Sequence, residues 1–365
     1  MARARTAPDL WMIIPTLLIL AIGVIMVYSA SAILAFHDFG DSFYYLKRQL
    51  IFAALGVGAM LITMRIDYHV WGKFANIGLI ICFSLLVIVL IPGIGVERGG
   101  ARSWLGIASF GIQPSEFMKM AMIIFMAKVL AVPESRITSF SRGLLPMLLI
   151  LGLAFGLIML QPDLGTGAVL LGATLLVIYT AGAKLSHLGW LGIVGIVGFA
   201  SLIAAAPYRL QRITSFLDPW QDPLGAGYQI IQSLYAIGPG GLVGLGLGMS
   251  RQKYSYLPEP QTDFIFSIIA EELGFIGASA VLLLFLLLIW RGMRTAITAP
   301  DSFGSLLATG IVGMIAVQVI INIAVVTGMM PVTGITLPLI SAGGSSLTLM
   351  LTAIGILLNI SRYAR

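Results

Sequence analysis

The sequence predicts an all-α polytopic integral membrane protein with about ten transmembrane helices, and three observations carry that prediction. Of 365 residues, 59% are hydrophobic and only 10% charged, with a mean hydropathy of +1.01. Soluble domains run near a quarter charged, so an ordinary globular domain and a disordered chain are both excluded. Apolar runs long enough to cross a hydrocarbon core of ~30 Å recur along the whole length. The polar segments between them alternate in basic content, and that alternation sets orientation.

Runs bounded by charges place the spans at 10–32, 49–64, 74–91, 115–132, 144–160, 164–182, 188–206, 264–290, 303–327 and 343–361. With a cytoplasmic N-terminus, the short inner segments hold Arg3, Arg5, Arg65, Lys73, Arg136, Arg142, Lys184, Arg291, Arg294, Arg362 and Arg365. The outer segments are longer in total yet hold only Lys47, Arg48, Arg98, Arg102, Arg209, Arg212, Arg251 and Lys253. Both termini are therefore expected in the cytoplasm. The net charge of +6 is accounted for by topology, so no nucleic-acid partner is expected. Ala30-Ser31-Ala32 resembles a cleavage site, but the uncharged run before it exceeds a usual signal-peptide core and reads as a retained anchor. The single cysteine, Cys82, excludes an intramolecular disulfide, and the dispersed His37, His69 and His187 argue against a histidine metal cluster. The chain reads as one membrane domain over 1–365.

Two outer loops are too long to be mere connectors, about 92–113 and, between the seventh and eighth spans, about 207–262. The second contains Tyr228 to Ile237, where Ile230, Ile231, Leu234 and Ile237 share one side and Gln229, Gln232 and Ser233 another. That pattern predicts a short amphipathic helix at the membrane interface. The glycine-rich run from Gly238 to Gly248 lacks the βαβ context of a phosphate loop and reads as a flexible or re-entrant connector.

Ionisable residues near the spans carry the functional information, because a charge at the bilayer centre must be paired or placed. Pro114 opens a helix that puts Glu116 in its first turn, with Lys119 three residues on along the same face. The pair either ties the bundle together or lines a polar cavity. Asp263 begins the eighth span, either as a first-turn acid behind an N-cap at Thr262 or as a carboxylate facing an outward-open cavity. Glu271 and Glu272 lie about 12–14 Å deeper along the same helix, as proton-relay groups or buried ties. Asp163, in a very short outer turn, reads as a helix cap.

Taken together, Gly111-Ile112-Gln113-Pro114-Ser115-Glu116-Phe117, Gln161-Pro162-Asp163-Leu164-Gly165-Thr166, Pro258-Glu259-Pro260-Gln261-Thr262-Asp263-Phe264, Ala270-Glu271-Glu272-Leu273-Gly274 and Gly343-Gly344-Ser345-Ser346 strongly resemble the SEDS family of bacterial cell-wall proteins. The motifs occur in order over nearly the whole chain. Pro8-Asp9-Leu10 and Val24 through Ser31 resemble the FtsW/SpoVE branch rather than the RodA branch. Ala342 departs from the family, which usually carries an aromatic there.

The resemblance implies a peptidoglycan glycosyltransferase of the bacterial cytoplasmic membrane. It would polymerise lipid II on the outer face and release undecaprenyl-diphosphate, serving spore cortex or septal wall synthesis. A class B penicillin-binding protein is the implied partner, with membrane lipids around both. The family's essential acid corresponds to Asp263, and its structurally important acid–base pair to Glu116 and Lys119. The reaction needs a base for the acceptor hydroxyl and positive charge for the departing diphosphate. Asp263 is the expected base, with hydroxyl orientation or a divalent cation (Mg2+ or Mn2+) as alternative duties. Arg102, Lys119, Arg209 and Arg212 are the candidate cations, and Gln261 is expected to support the cavity. Two other functions use the same fold. One is transport of lipid II across the bilayer, with Glu271 or Glu272 coupling; the other is a non-catalytic scaffold for a penicillin-binding protein.

Overall fold

A computed structural model describes residues 7–98, 101–107, 110–132, 137–204, 215–254 and 256–364. Each of the ten expected spans falls on a helix. They are α1 (Leu10–Phe39), α2 (Tyr44–Thr63), α3 (His69–Leu90), α4 (Pro114–Leu130), α5 (Leu145–Met159), α6 (Leu164–Thr180) and α7 (Leu185–Ala204). After the shorter α8 (Tyr228–Ile237) come α9 (Ile265–Thr298), α10 (Ser302–Val326) and α11 (Gly344–Ser361). Among the described residues, seven helical stretches are long and apolar enough to cross a membrane, and α6 is a shorter apolar helix.

The helices form a bundle in which α10 and α11 are largely buried and α1, α2, α3 and α9 supply much of the surface. Ile80, Leu55 and Leu283 are exposed there, as expected of side chains that meet lipid. Small residues bring backbones together: a Cβ on Gly23 would lie 2.7 Å from the Leu339 carbonyl, and one on Gly355 only 2.5 Å from that of Met60. The inner ends are tied by polar contacts. The Arg291 guanidinium donates to Asp9 Oδ2 from Nε at 2.9 Å and Nη2 at 2.6 Å, and the Asp9 amide donates to Ser361 Oγ. Tyr68 and His69 both meet Asp301. The expected inner segments therefore do converge on one end of the bundle.

Three details depart from the sequence-based expectations. Helix α1 runs on to Phe39 before Gly40 ends it at φ 70°, seven residues beyond the expected 32, with Ala30-Ser31-Ala32 inside the helix. The outer loop at 92–113 holds strands not assigned from the sequence: β1 (Val96–Arg98), β2 (Ala101–Ile107) and β3 (Phe110–Ile112) form an antiparallel sheet in that order. Glu97 pairs with Arg102, and Leu105 with Ile112. Helix α8 occupies Tyr228–Ile237 as expected, but its inward face is rotated. Ser233 is buried because its hydroxyl lies 2.6 Å from the Val326 carbonyl and 2.7 Å from Ser267 Oγ, while Leu234 is turned outward.

The eighth span is broken rather than continuous. Gly274 adopts φ 66° and ψ −168°, a conformation that glycine tolerates and a helix interior does not. A break at this depth frees backbone groups that cost several kcal/mol each if left unpaired in hydrocarbon. The glycine-rich run supplies their partners. Phe275 N donates to Gly241 O at 2.8 Å and Ile276 N to Leu242 O at 3.1 Å. In return, Leu245 N donates to Glu271 O at 2.9 Å and Gly246 N to Glu272 O at 3.0 Å. The run is thus an ordered connector docked into the break. Its glycines allow the approach, since a Cβ on Gly240 would collide with the Ala270 carbonyl.

Candidate active site

The outer end of the bundle gathers carboxylates from three separate motifs. Pro114 at the start of α4 and the extended Gln113 before it turn the chain so that Glu116 and Lys119 point inward. Lys119 Nζ and Glu116 Oε1 are 2.7 Å apart and nearly inaccessible, an i,i+3 ion pair. Further bonds complete the pair: Ser346 Oγ donates to Glu116 Oε2 at 2.8 Å, and Lys119 donates to Gln318 Oε1 at 3.2 Å. Gln318 Nε2 continues the chain to the Thr336 carbonyl at 3.0 Å. A buried ion pair satisfied on both sides serves position more than net stability.

Asp163 does cap its helix, accepting from the Thr166 amide at 3.0 Å. It also receives Gln113 Nε2 at 2.8 Å, which joins the α4 and α6 motifs. Burial raises its pKa above the ordinary value and Glu116 adds to that, against the Thr166 bonds and Lys119. A Cβ on Gly165 would stand 2.7 Å from the Thr333 carbonyl, so α6 lies close against the segment before α11.

Asp263 faces the same segment, with its Oδ2 3.5 Å from where a Gly334 Cβ would be. It precedes α9 rather than belonging to it, and Thr262 does not cap the helix. The Thr262 hydroxyl turns back to the Glu259 carbonyl at 3.2 Å, because residues 259–262 close a turn of their own. Asp263 is enclosed by protein yet keeps some solvent access, as a cavity-lining group would. Its pKa is pushed up to about 7 by burial, then by the charges of Glu259 and Asp163. Standing before the helix rather than in its first turn, it does not show the lowering expected of a helix N-terminus. Gln261 is buried beside it: its Nε2 donates to Glu259 Oε2 at 3.2 Å, which leaves Oε1 inside without a partner.

The structure does not gather every candidate here. Arg102 sits on β2 and forms an ion pair with no described residue. Arg209 and Arg212 lie outside the described residues. Glu271 and Glu272 are ties. Glu272 accepts from Ser29 Oγ at 2.7 Å, Gly248 N at 3.0 Å and Lys253 Nζ at 3.2 Å. Glu271 accepts from Ser250 Oγ at 2.5 Å and Arg251 N at 2.8 Å. Both residues hold the long outer loop onto α9 and α1. Sequence reasoning missed Asp163 as a neighbour of Asp263, and missed Gln318 and Asn322. The last two had a signal, two amides at i,i+4 on one face of an otherwise apolar helix.

The fold and this carboxylate cluster define a multi-pass membrane protein with a polar site at one end of its helix bundle. The model of the FtsW/RodA/SpoVE family, described as cell cycle protein, matches residues 9–365, and the chain belongs to that family. It is 60% identical to stage V sporulation protein E of Bacillus subtilis over 100% of both chains. It is 46% identical to the probable peptidoglycan glycosyltransferase FtsW of Trichlorobacter lovleyi, over 97% of this chain and 93% of that one. Among solved structures it resembles rod shape determining protein RodA of Thermus thermophilus, at 29% identity and TM-score 0.72, covering 98% and 97% of the two chains. It also resembles a chain of a peptidoglycan synthase complex that coordinates polymerization and crosslinking, at 33% identity and TM-score 0.78, covering 98% of each chain.

Proposed function

We propose that this chain is a peptidoglycan glycosyltransferase that polymerises lipid II at the outer face of the membrane, with Asp263 as general base. The observation that carries the reading is Asp263 itself, a carboxylate enclosed beside Gly334 and the Glu259–Gln261 pair yet partly open to solvent, with its pKa pushed up to about 7 by burial. A general base is most effective when its pKa lies near the operating pH, where about half of it is ionised and it still holds a proton well. Asp263 takes the proton from the acceptor sugar's 4-hydroxyl as that oxygen bonds to the donor's anomeric carbon. The bond from that carbon to the diphosphate breaks, and undecaprenyl-diphosphate leaves with the electron pair. Lys119 is held by Glu116 and Gln318 and acts on the shape of the site. Of the four candidate cations, Arg102 on β2 is the described one outside the Glu116 ion pair, and it is assigned to the diphosphate.

A divalent cation fits this site only in part. Among the described residues no three His, Cys, Asp or Glu side chains stand close enough to cage a metal. Asp263 and the unpartnered Gln261 Oε1 are hard oxygen donors of the kind that share Mg2+ or Mn2+ with a substrate diphosphate. A cation bound so would neutralise charge on the leaving group.

The likeness to a chain of a solved peptidoglycan synthase complex, in which polymerization and crosslinking are coordinated, supports a class B penicillin-binding protein as the cross-linking partner. The names of the relatives support a place in spore cortex or septal wall synthesis. The transport reading drew on Glu271 and Glu272, and their bonds to the outer loop remove that motive. The test is lipid II polymerisation by the purified full chain with a transglycosylase-inert partner, wild type against Asp263→Asn. Glycan ladders from wild type alone support the reading. Ladders from both sink Asp263 as base, and ladders from neither, with partner binding intact, favour transport or scaffolding.

A further inference from the structure

Asp263 lies in a non-helical turn, and the helix that follows it has no side-chain cap. Nothing within its own element fixes its direction, so the constraint must come from elsewhere. Three consecutive carbonyls of this turn each meet a donor from the far end of the chain. Gln261 O accepts from Ala342 N at 2.9 Å, Thr262 O from Ser341 Oγ at 2.6 Å, and Asp263 O from Asn322 Nδ2 at 2.9 Å. The same Asn322 nitrogen donates to Ile335 O at 2.7 Å, so both its hydrogens are used. Ser341 Oγ in turn accepts from Leu337 N at 2.8 Å. Asn322 is 1% exposed and Ser341 4%, so both donors are held inside the protein.

These bonds clamp the Asp263 turn to residues 334–342, the same segment whose Gly334 lies under the Asp263 carboxylate. The segment is gripped from its other side by Gln318 through Thr336, and Gln318 is held by Lys119. A continuous path of contacts therefore joins the ion pair in α4 to the backbone of Asp263. Replacing Asn322 by a residue without the amide removes the donor from both the Asp263 and the Ile335 carbonyl and frees the turn to rotate. A misplacement of about 1 Å at a reacting group can cost about a hundredfold in rate.

We propose that Asn322 and Ser341 are positioning residues for glycosyl transfer, aiming the Asp263 carboxylate by fixing the carbonyls of its own turn. The proposal rests on Asp263 being the base. It assigns a function to the segment before α11, to which Ala342 contributes its backbone amide.

The experiment measures steady-state lipid II polymerisation by the purified full chain with its inert partner. Wild type, Asp263→Asn, Asn322→Ala, Ser341→Ala and Ser341→Thr are compared, with melting temperature recorded for each. Asn322→Ala and Ser341→Ala are expected to lower kcat by about 10- to 100-fold with KM for lipid II within about twofold. Ser341→Thr, which keeps the hydroxyl, should recover most of the loss. The proposal is overturned if a folded Asn322→Ala and a folded Ser341→Ala both turn over within about twofold of wild type. It is equally overturned if the loss lies in KM, or if activity per folded molecule is normal and only the folded fraction falls. Wild-type rates from Asp263→Asn would instead remove the underlying reading and this proposal with it.

Discussion

Asp263→Asn should make the protein inactive and, above neutral pH, more stable. The Asp263 pKa rises from 3.8 to about 7 in the fold. Between those values the folded protein holds a proton that the unfolded chain has released. Stability therefore falls as pH rises through this window and stays reduced above about 7. At 1.36 kcal/mol per pH unit, the cost of the ionised carboxylate above the window is about 4 kcal/mol. The asparagine variant lacks that cost, so its advantage should approach about 4 kcal/mol at pH 8 and vanish near pH 4. Thermal and denaturant unfolding of both proteins in detergent with EDTA, at several pH values, reads the difference directly. Other acidic groups titrate alike in the two proteins and cancel. An advantage that does not change with pH, or a wild type more stable at pH 8, would refute the argument that burial and neighbouring charge hold this carboxyl above its usual range. A gain in stability on loss of activity is the exchange expected of a residue kept for chemistry.

Three further outcomes follow from the same geometry. The kcat of polymerisation should rise with pH to a plateau above about 7, and Glu259→Gln should move that limb to lower pH; an unmoved limb would remove Glu259 as a contributor. Lys119→Met should destabilise by about 3–5 kcal/mol through the orphaned Glu116 carboxylate, and Glu116→Gln/Lys119→Met should recover most of it; a double variant no better than the single would show that the loss does not come from the orphaned carboxylate. Gly274→Ala should sharply lower the yield of folded protein, because its Cβ would stand 2.6 Å from both Leu242 O and Val243 C at a positive φ; normal yield and melting temperature would mean the break can close.

Much of this architecture was legible in the sequence because the signals involved are local. Membrane spans follow from unbroken apolar length, and orientation from where Arg and Lys fall between them. The extent of α8 followed from a period of 3.6, and the Glu116–Lys119 pair from a spacing of three behind Pro114. Family motifs singled out Asp263, and composition excluded a soluble domain. Local signals stop at contacts between distant segments. Asn322 meets a residue 59 positions away, and Ser346 one 230 positions away. The Gly274 break could not be read either, since glycine is common in membrane helices and only the docked run from Gly241 to Gly246 makes a broken helix tolerable. Nor could the sequence decide whether Glu271 and Glu272 carry protons or hold a loop, because that depends on which donors surround them. For Asp263, a helix N-terminus would lower the carboxyl's pKa and burial would raise it, and local sequence does not choose between them. The sequence determined that a carboxyl stands where the long loop meets the eighth span; only the tertiary structure, by placing it before the helix and enclosing it beside Glu259 and Asp163, decided that burial sets its pKa.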